Sequence, residues 1–331
     1  MPPLPQKAME SAILAAFRDC GTNPILLQSP RSNPRRFAVH LLGGPLEMWI
    51  YAWTLTPGGR PQLANEYRIQ MTSVFSPLEI NPEGPTLLIG YEPTLGVFGG
   101  FDLARHRTFT TGSPSVQIDL QSLREALQAG LAFDIKTNSE ITVAFRPDQL
   151  VMYAQNAARL HRAGRAPELF RSLRRAAALE PIAGEDLASL SGERQRLVRT
   201  VSIAARAANF SDQVLAAYAG RCAVTRMQMR LVDAAHILPV AVSGSYDAVT
   251  NGIALSPTYH RAYDRGLVYL DEEYIMRLNP HRVRELDAQS LTGGVDLLAA
   301  PLGRIHLPPD RRQWPDRRLI RRANTHRGII V

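Results

Sequence analysis

Hydrophobic and polar positions along the chain divide it into three stretches of different periodicity. In the first, apolar residues recur at helical spacing over residues 7–19, KAMESAILAAFRD, which predicts an amphipathic helix. Short β-like segments follow, separated by turn sequences such as TPGGRP and NPEGP. The predicted strands span residues 37–42, 47–55, 66–74, 86–92, 96–103, 115–120 and 140–147. With a helix over 120–130, they predict a mostly-β domain over residues 1–155, built as an antiparallel sheet or small barrel.

The second stretch, residues 156–205, is rich in Ala, Arg and Leu and contains few aromatic residues. Its segments RLHRAGRAPELFRSLRRAAALE and GERQRLVRTVSIAARAA favour helices, separated by PIAGED. We therefore expect a helical, Arg-rich linker. Its arginines either lie along DNA or form a solvated helix face.

The third stretch, residues 206–331, mixes short helices and strands. A helix is predicted over 211–220, with Ser211 as its N-cap and Gly220 at its end. A hairpin-like stretch follows, and a second helix over 256–266 has Ser256 as its predicted cap. The last residues, 304–331, are strongly basic and either fold back on this domain or form a solvated end. The predicted fold class of the whole chain is α+β.

Charge and cysteine content narrow the class of protein. The 331 residues carry a formal net charge of +8, which favours a polyanionic partner, either nucleic acid or an acidic membrane surface. Cys20 and Cys222 are too few for a disulfide framework or a four-thiolate zinc site. The first residues lack the pattern of a signal peptide, and no apolar run is long enough to span a bilayer. We expect a cytoplasmic protein with reduced thiols and no membrane partner.

Three polar residues of the third stretch suggest hydrolytic chemistry. His260 and Asp264 are four positions apart on a predicted helix, so they project from one face and can share a divalent cation. His236 ends a strand-like run, from which a neutral imidazole can take a proton from water. Each residue also has a simpler interpretation: His236 as a structural histidine, and the pair as a surface ion pair or hydrogen bond.

Four segments follow one another in the third stretch: RCAVT (221–225), DAAHILP (233–239), NGIAL (251–255) and YHRAYDRGL (259–267). Their order and spacings resemble the HNH (ββα-metal) endonuclease family, in its AAHI…NG…H…D subgroup. The resemblance covers about residues 205–280, and implies a ββα-metal nuclease domain there. It implies that His236 is the general base, that Asn251 holds the loop over the metal site, and that His260 binds the metal.

The resemblance also implies a metal site, with two departures from the usual pattern. Asp264 occupies the place of a second helix ligand, and a histidine–carboxylate pair favours Mg²⁺ or Mn²⁺. Many HNH domains place a metal ligand directly before the base, where this chain has Ala235. Asp233 is a weak substitute, because strand alternation sends it to the face opposite His236. The paired CxxC zinc knuckles of many members are missing as well.

Further basic residues are candidate DNA contacts. Arg261 and Arg265 flank the predicted metal ligands and are candidates for contact with the scissile phosphate. In the first domain, SPRSNPRR (29–36) and RHRTFTTGSPS (105–115) are candidate phosphate-binding loops. Glu66, Arg68 and Gln70 share one face of a predicted strand, which either reads a base or ligand or simply faces solvent.

The functional hypothesis is a metal-dependent DNA endonuclease of a bacterial restriction or phage-defence system, with a recognition module in front. Its expected partner is double-stranded DNA, with the need for base modification left open. A double-strand break would favour a homodimer, because one HNH site cuts one strand at a time. The alternatives are a DNA-binding protein whose degenerate HNH fold no longer cuts, which Ala235 keeps open, and a nuclease effector activated by a ligand.

Overall fold

A computed structural model describes residues 2–28, 33–41, 43–59, 61–63, 65–110 and 112–329. The chain divides into two compact units, Met1–Ala208 and Asn209–Val331. Parts of the two candidate phosphate-binding loops, residues 29–32 and residue 111, lie outside the described residues. Among the helices that are described, none combines the length and apolar character needed to cross a bilayer.

The first unit contains strands followed mainly by helices. Its strands are β1 (Ile25–Gln28), β2 (Arg35–Leu41), β3 (Gly44–Thr54), β4 (Thr56–Pro57), β5 (Glu66–Gln70), β6 (Thr86–Glu92), β7 (Val97–Phe101), β8 (Ser115–Asp119), β9 (Leu131–Ile135) and β10 (Ile141–Phe145). Its helices are α1 (Gln6–Asp19), α2 (Leu103–His106), α3 (Leu120–Ala129), α4 (Leu150–Arg162), α5 (Pro167–Ala177), α6 (Gly184–Ala188) and the first part of α7 (Gly192–Ala217).

The strands form two sheets, and not the single antiparallel sheet or barrel that the sequence predicted. The larger has the order β1-β2-β3-β6-β7-β10-β9, and the smaller has the order β4-β5-β8. All neighbours in the larger sheet are antiparallel except β3 and β6. These two are parallel because the chain leaves the sheet after β3, forms β4 and β5, and returns before β6. Strands β1 and β9 were not predicted from the sequence.

The segment predicted as a linker is helical and contributes to the core of the first unit. Leu160 on α4, Leu173 on α5 and Val201 on α7 are fully buried in the same cluster as Ile13 on α1. The prediction of a separate helix that begins at Ser211 was wrong. Helix α7 runs without a break from residue 192 to residue 217, since neither proline nor glycine interrupts that run after its first residue.

The second unit holds the predicted hairpin and helix. Its described elements after α7 are β11 (Asp233–His236), β12 (Gly252–Leu255), α8 (Pro257–Asp264), β13 (Val268–Leu270), β14 (Met276–Leu278), α9 (Pro280–Asp287), α10 (Val295–Ala299) and α11 (Arg317–His326). Strands β11 and β12 are antiparallel, with His236 opposite Gly252, and α8 follows β12 directly. Ser256 occupies the N-cap position of α8, but its side chain makes no capping hydrogen bond. This β-β-α arrangement places both candidate histidines in one small motif.

The basic carboxy-terminal segment packs within the second unit. Helix α11 buries Leu319, Ile320 and Ala323 in the core that also contains Cys222. Asn324 donates a side-chain hydrogen bond to the Leu270 carbonyl over 2.9 Å. Of the two alternatives for the basic end of the chain, the structure therefore favours a segment folded back on this domain for residues 304–329, the part that it describes.

Candidate active site

His236 lies at the end of β11, and its ring is held by a hydrogen bond at one nitrogen and by a stacked aromatic ring. Its Nε2 is 3.0 Å from Oδ1 of Asp247, and its ring stacks on Phe210 with centroids 3.7 Å apart and planes 10° apart. A carboxylate accepts hydrogen bonds only, so Nε2 carries the proton of this bond. In the neutral imidazole the lone pair is then on Nδ1. The His236 side chain is 22% exposed, so the ring remains accessible to solvent.

The Phe210 ring fits beside His236 because the strand opposite offers a glycine. Gly252 pairs with His236 in the hairpin. A Cβ at Gly252 would lie 2.1 Å from Cγ2 of Val214 and 3.1 Å from Cζ of Phe210. The backbone of β12 can therefore approach α7 only with glycine at this position.

His260 projects from α8 between two carboxylates. Its Nδ1 is 3.3 Å from Oδ2 of Asp233, and its Nε2 is 3.4 Å from Oδ2 of Asp264. The hydrogen bond to Asp233 raises the pKa of His260 above its usual value, and the charge of Asp264 adds to this effect although partial burial opposes it. Both carboxylates are more than half exposed. Each ring nitrogen of His260 thus has one carboxylate oxygen beside it.

The donors around His260 fit a hard divalent cation with few protein ligands. On either edge of the His260 ring, a cation could bind one imidazole nitrogen and one carboxylate oxygen. The other coordination positions would then be left to water and phosphate, which Mg²⁺ prefers. Within the described ranges no group of three or more His, Cys, Asp or Glu side chains is placed to hold a metal ion. Ala235, at the position where many HNH domains place a ligand, is fully buried. Asp233 shares the strand face of Ala235, since the two are two positions apart.

Asn251 is a buried hub for the loop between β11 and β12. Its Oδ1 accepts a hydrogen bond from the Leu238 amide over 2.9 Å, and the two hydrogens of its Nδ2 are shared among three acceptors at 3.0–3.1 Å, the carbonyls of Leu238 and Tyr246 and Oγ of Ser245. Its side chain is fully buried. These bonds close the loop that presents Asp247 to His236.

Two segments of the chain match known protein families. Residues 222–271 match the HNH endonuclease family. The second unit contains an HNH endonuclease domain. Residues 46–154 match a family described as methylase-associated X1. The HNH match identifies the chain as an endonuclease, whereas the description of the other family names no activity.

More distant comparisons add less. No curated protein matches the chain. Among solved structures, a modification-dependent TagI restriction endonuclease aligns with a TM-score of 0.30 and 12% identity, over 84% of this chain and 80% of that chain. A similarity of this size does not establish a common fold for the full length.

Helix α11 braces the HNH domain from outside the β-β-α motif. Arg327 donates to the Ile237 carbonyl over 3.0 Å, and its guanidinium lies 4.3 Å from the ring centroid of Tyr263 on α8. Arg322 donates to the carbonyls of Ser243 and Gly244. These contacts join β11, α8 and the loop before Asp247.

Some residues around the HNH site have a signal in the sequence, and others do not. Arg261 and Arg265, the predicted phosphate contacts, are both exposed on α8 and at its end. Asp247 was missed, although its place in a polar loop four residues before Asn251 was a usable signal. Phe210 and Arg327 had no local signal, because they come from helices distant in sequence.

Proposed function

We propose that this protein is a metal-dependent DNA endonuclease that hydrolyses phosphodiester bonds at the HNH site. The observation that carries the proposal is the pairing of His236, whose Nδ1 is free to accept a proton, with His260, which lies between two carboxylates. Asp233, which contacts His260, is three residues from His236 along β11, a span of at most about 10 Å. Strand β11 therefore carries both the candidate base and a residue that contacts the candidate metal ligand.

The chain's own residues account for the proton transfers. His236 takes a proton from water at Nδ1, and the hydroxide attacks the phosphorus as the bond to the leaving ester oxygen breaks. Asp247 and Phe210 keep the ring oriented for this transfer, and Asn251 fixes the loop that carries Asp247. The protonated His236, or water, then returns a proton to the leaving oxygen.

His260 and at least one of Asp264 and Asp233 would hold the cation, with Mg²⁺ or Mn²⁺ as the proposed ion. When bound, the cation stabilises negative charge on the phosphate and on the leaving oxygen. Arg261 and Arg265 are exposed on the same helix and are proposed to contact the DNA backbone. Asp233→Asn changes the carboxylate beside Nδ1 of His260, and Asp264→Asn changes the one beside Nε2. The two variants therefore test the two candidate ligand pairs separately.

The biological setting is also a proposal. A nuclease domain that follows a separate β-rich unit fits a restriction or phage-defence enzyme of the cytoplasm, with the first unit selecting double-stranded DNA. A match to a methylase-associated family is consistent with DNA that carries, or lacks, a base modification. Cleavage of both strands would favour a homodimer, because one HNH site cuts one strand at a time.

A plasmid-nicking assay tests the activity. We expect supercoiled plasmid to be nicked by the full chain with Mg²⁺ or Mn²⁺, and not with EDTA. His236→Ala is expected to lower the rate by at least about 100-fold without weakening DNA binding, whereas His281→Ala, at an exposed histidine on α9, leaves it unchanged. DNA binding without nicking under any metal would contradict the proposal and favour the non-cleaving alternative.

The role of the first unit needs a second assay. We expect cutting to differ among unmodified, methylated and phage-derived DNA if this unit selects the target. Equal cutting of all of them would contradict selection by modification. An enzyme idle on all of them, but active after cell extract of phage-infected bacteria is added, would favour the ligand-activated alternative.

A further inference from the structure

Apolar side chains are unusually exposed in the loop that leads into β11. This segment, Arg226–Leu231, is called the 226–231 loop below. Met227, Met229 and Leu231 are 39%, 69% and 50% exposed. Single exposed apolar residues are ordinary, but three within five positions form a cluster that indicates a contact surface. Arg226 and Arg230, both exposed, alternate with them.

The 226–231 loop is an ordered turn. The Cys222 amide donates to the Met227 carbonyl over 2.8 Å, and the Arg226 amide donates to the Cys222 carbonyl over 2.9 Å. The Leu231 amide closes the second half of the loop on the Gln228 carbonyl over 2.9 Å. These backbone hydrogen bonds therefore fix the turn that exposes its side chains to solvent.

The backbone of the 226–231 loop is also strained. Arg226, Met229 and Arg230 have φ values of 60°, 45° and 53°, in the left-handed region that residues other than glycine rarely adopt. Such strain persists where the surrounding structure enforces it, and it is concentrated at ligand-binding segments. Glycine would relieve the strain at Met229 but would remove the exposed side chain.

The loop lies close to the proposed metal site along the chain. Leu231 is two residues from Asp233, which contacts His260, and Met229 is four residues from it. Four residues span at most about 14 Å. Since B-DNA rises about 3.4 Å per base pair, this limit on the span from Met229 to Asp233 corresponds to about four base-pair steps.

We propose that the 226–231 loop is a DNA-distorting wedge: Met229 inserts between two base pairs of the bound duplex, and Arg226 and Arg230 contact the flanking phosphates. This proposal rests on the proposed nuclease function and specifies how its substrate is held. Methionine is flexible and polarizable, and wedges of this type enter the minor groove and kink the duplex. Arginine on each side matches the negative charge of the backbone.

The wedge has a consequence for substrate choice. Pyrimidine–purine steps unstack most readily, so DNA with such a step near the scissile bond would bind best. DNA with a mismatch or a nick at that position would bind better still, because part of the distortion is already made.

The test measures DNA unwinding, which does not depend on cutting. Full-length His236→Ala protein is bound to nicked plasmid, the nick is sealed by ligase, and the linking number is compared with that of protein-free plasmid. We expect a lower linking number with the His236→Ala parent, which retains Met229, and with the same parent carrying Met229→Leu. Met229→Gly, which keeps the left-handed turn, is expected to abolish the change and to weaken binding about tenfold. Leu297→Ala, at a residue 82% exposed on α10, is the control and should resemble the parent.

A second arm tests the arginines. Arg226→Ala and Arg230→Ala are each expected to reduce the slope of log affinity against log salt by about 1. A linking-number change that persists in Met229→Gly overturns the insertion, as does plasmid binding by the parent without any change. If Met229→Gly instead abolishes self-association in sedimentation, the 226–231 loop is a protein interface and the proposal fails. Failure of the parent to bind plasmid at all overturns the nuclease proposal as well.

Discussion

At the scale of single residues, the chemistry of the site depends on which ring nitrogen of each histidine lies beside a carboxylate. Asp247 accepts a hydrogen bond from the Nε2–H of His236 and leaves Nδ1 for water, whereas His260 has a carboxylate beside each nitrogen. The two histidines of one motif thus have different chemistry, which their neighbours determine. A base and a metal ligand both need an accessible lone pair, and the hydrogen bond made by the other ring nitrogen decides which nitrogen carries it.

Asp247→Asn tests the orientation of His236. Because the amide can turn its NH₂ toward Nε2, it would favour the wrong tautomer, and we expect cleavage to fall about 100-fold with DNA affinity unchanged. Nitrogen-15 shifts of the His236 ring in the metal-free protein would report the tautomer directly. Asp287→Asn, at an exposed position on α9, is the matched control. An unchanged rate and unchanged ring shifts would rule out a positioning role for Asp247.

The pKa of His260 in metal-free protein is a second prediction at this scale. It should lie above 6.5, because the Asp233 hydrogen bond and the Asp264 charge favour the protonated ring more than burial opposes it. This contribution to stability is fully present below the unfolded pKa and is lost as pH rises through the folded pKa. An NMR titration should show a lower pKa in Asp233→Asn. Equal values in the two proteins would mean that the contact is absent in solution.

At the scale of elements, residues of α7 and residues at the end of α11 contact strand β11 of the hairpin or the residue that follows it. Phe210 on α7 covers the His236 ring, and Arg327 after α11 binds the carbonyl of the next residue, Ile237. The β-β-α motif alone is small and lacks zinc knuckles, so these helices supply the packing that fixes its strands. The buried Cys222 belongs to the cluster that α11 packs against.

Gly252→Ala tests this packing. The added methyl group would meet Val214 and Phe210 at sub-contact distance, so we expect a loss of about 1–3 kcal/mol in the free energy of unfolding. Cleavage should fall as well, because Phe210 must move from His236. Urea unfolding measures the first effect and plasmid nicking the second. Gly293→Ala, where a Cβ meets nothing within 4 Å, is the control; equal stability of the two variants would contradict the prediction.

At the scale of the whole molecule, each unit has its own core and its own sensitivity to pH. In the first unit, buried Glu140 accepts from His106 over 2.6 Å and lies 3.3 Å from Lys136. Burial raises the pKa of this carboxyl, but the His106 hydrogen bond and the Lys136 charge together lower it to about 2. The first unit therefore gains stability from a charged Glu140 at neutral pH.

Acid unfolding checks this contribution. A carboxyl that titrates near 4.5 when unfolded and about 2 when folded contributes at most about 3 kcal/mol, present above pH 4.5 and lost between pH 4.5 and 2. Glu140→Gln should remove most of the acid sensitivity of the first unit and leave the second unit unaffected. Calorimetry of both proteins between pH 3 and 7 would measure it. A pH profile unchanged by the substitution would contradict the assignment.

The sequence by itself determined the motif and most local structure. Helical periodicity located α1 and α3, flanking turn sequences located β6, and ordered segments named His236, Asn251 and His260 as candidate site residues, because these signals depend on near neighbours along the chain. Only the tertiary structure decided the rest. In the tertiary structure β3 pairs with β6 in parallel, and α7 continues through Ser211. Asp233 contacts His260, and Asp247, Phe210 and Arg327 contact β11 or the residue that follows it. Contacts between residues far apart in sequence leave no local pattern, since they are selected by how whole elements pack.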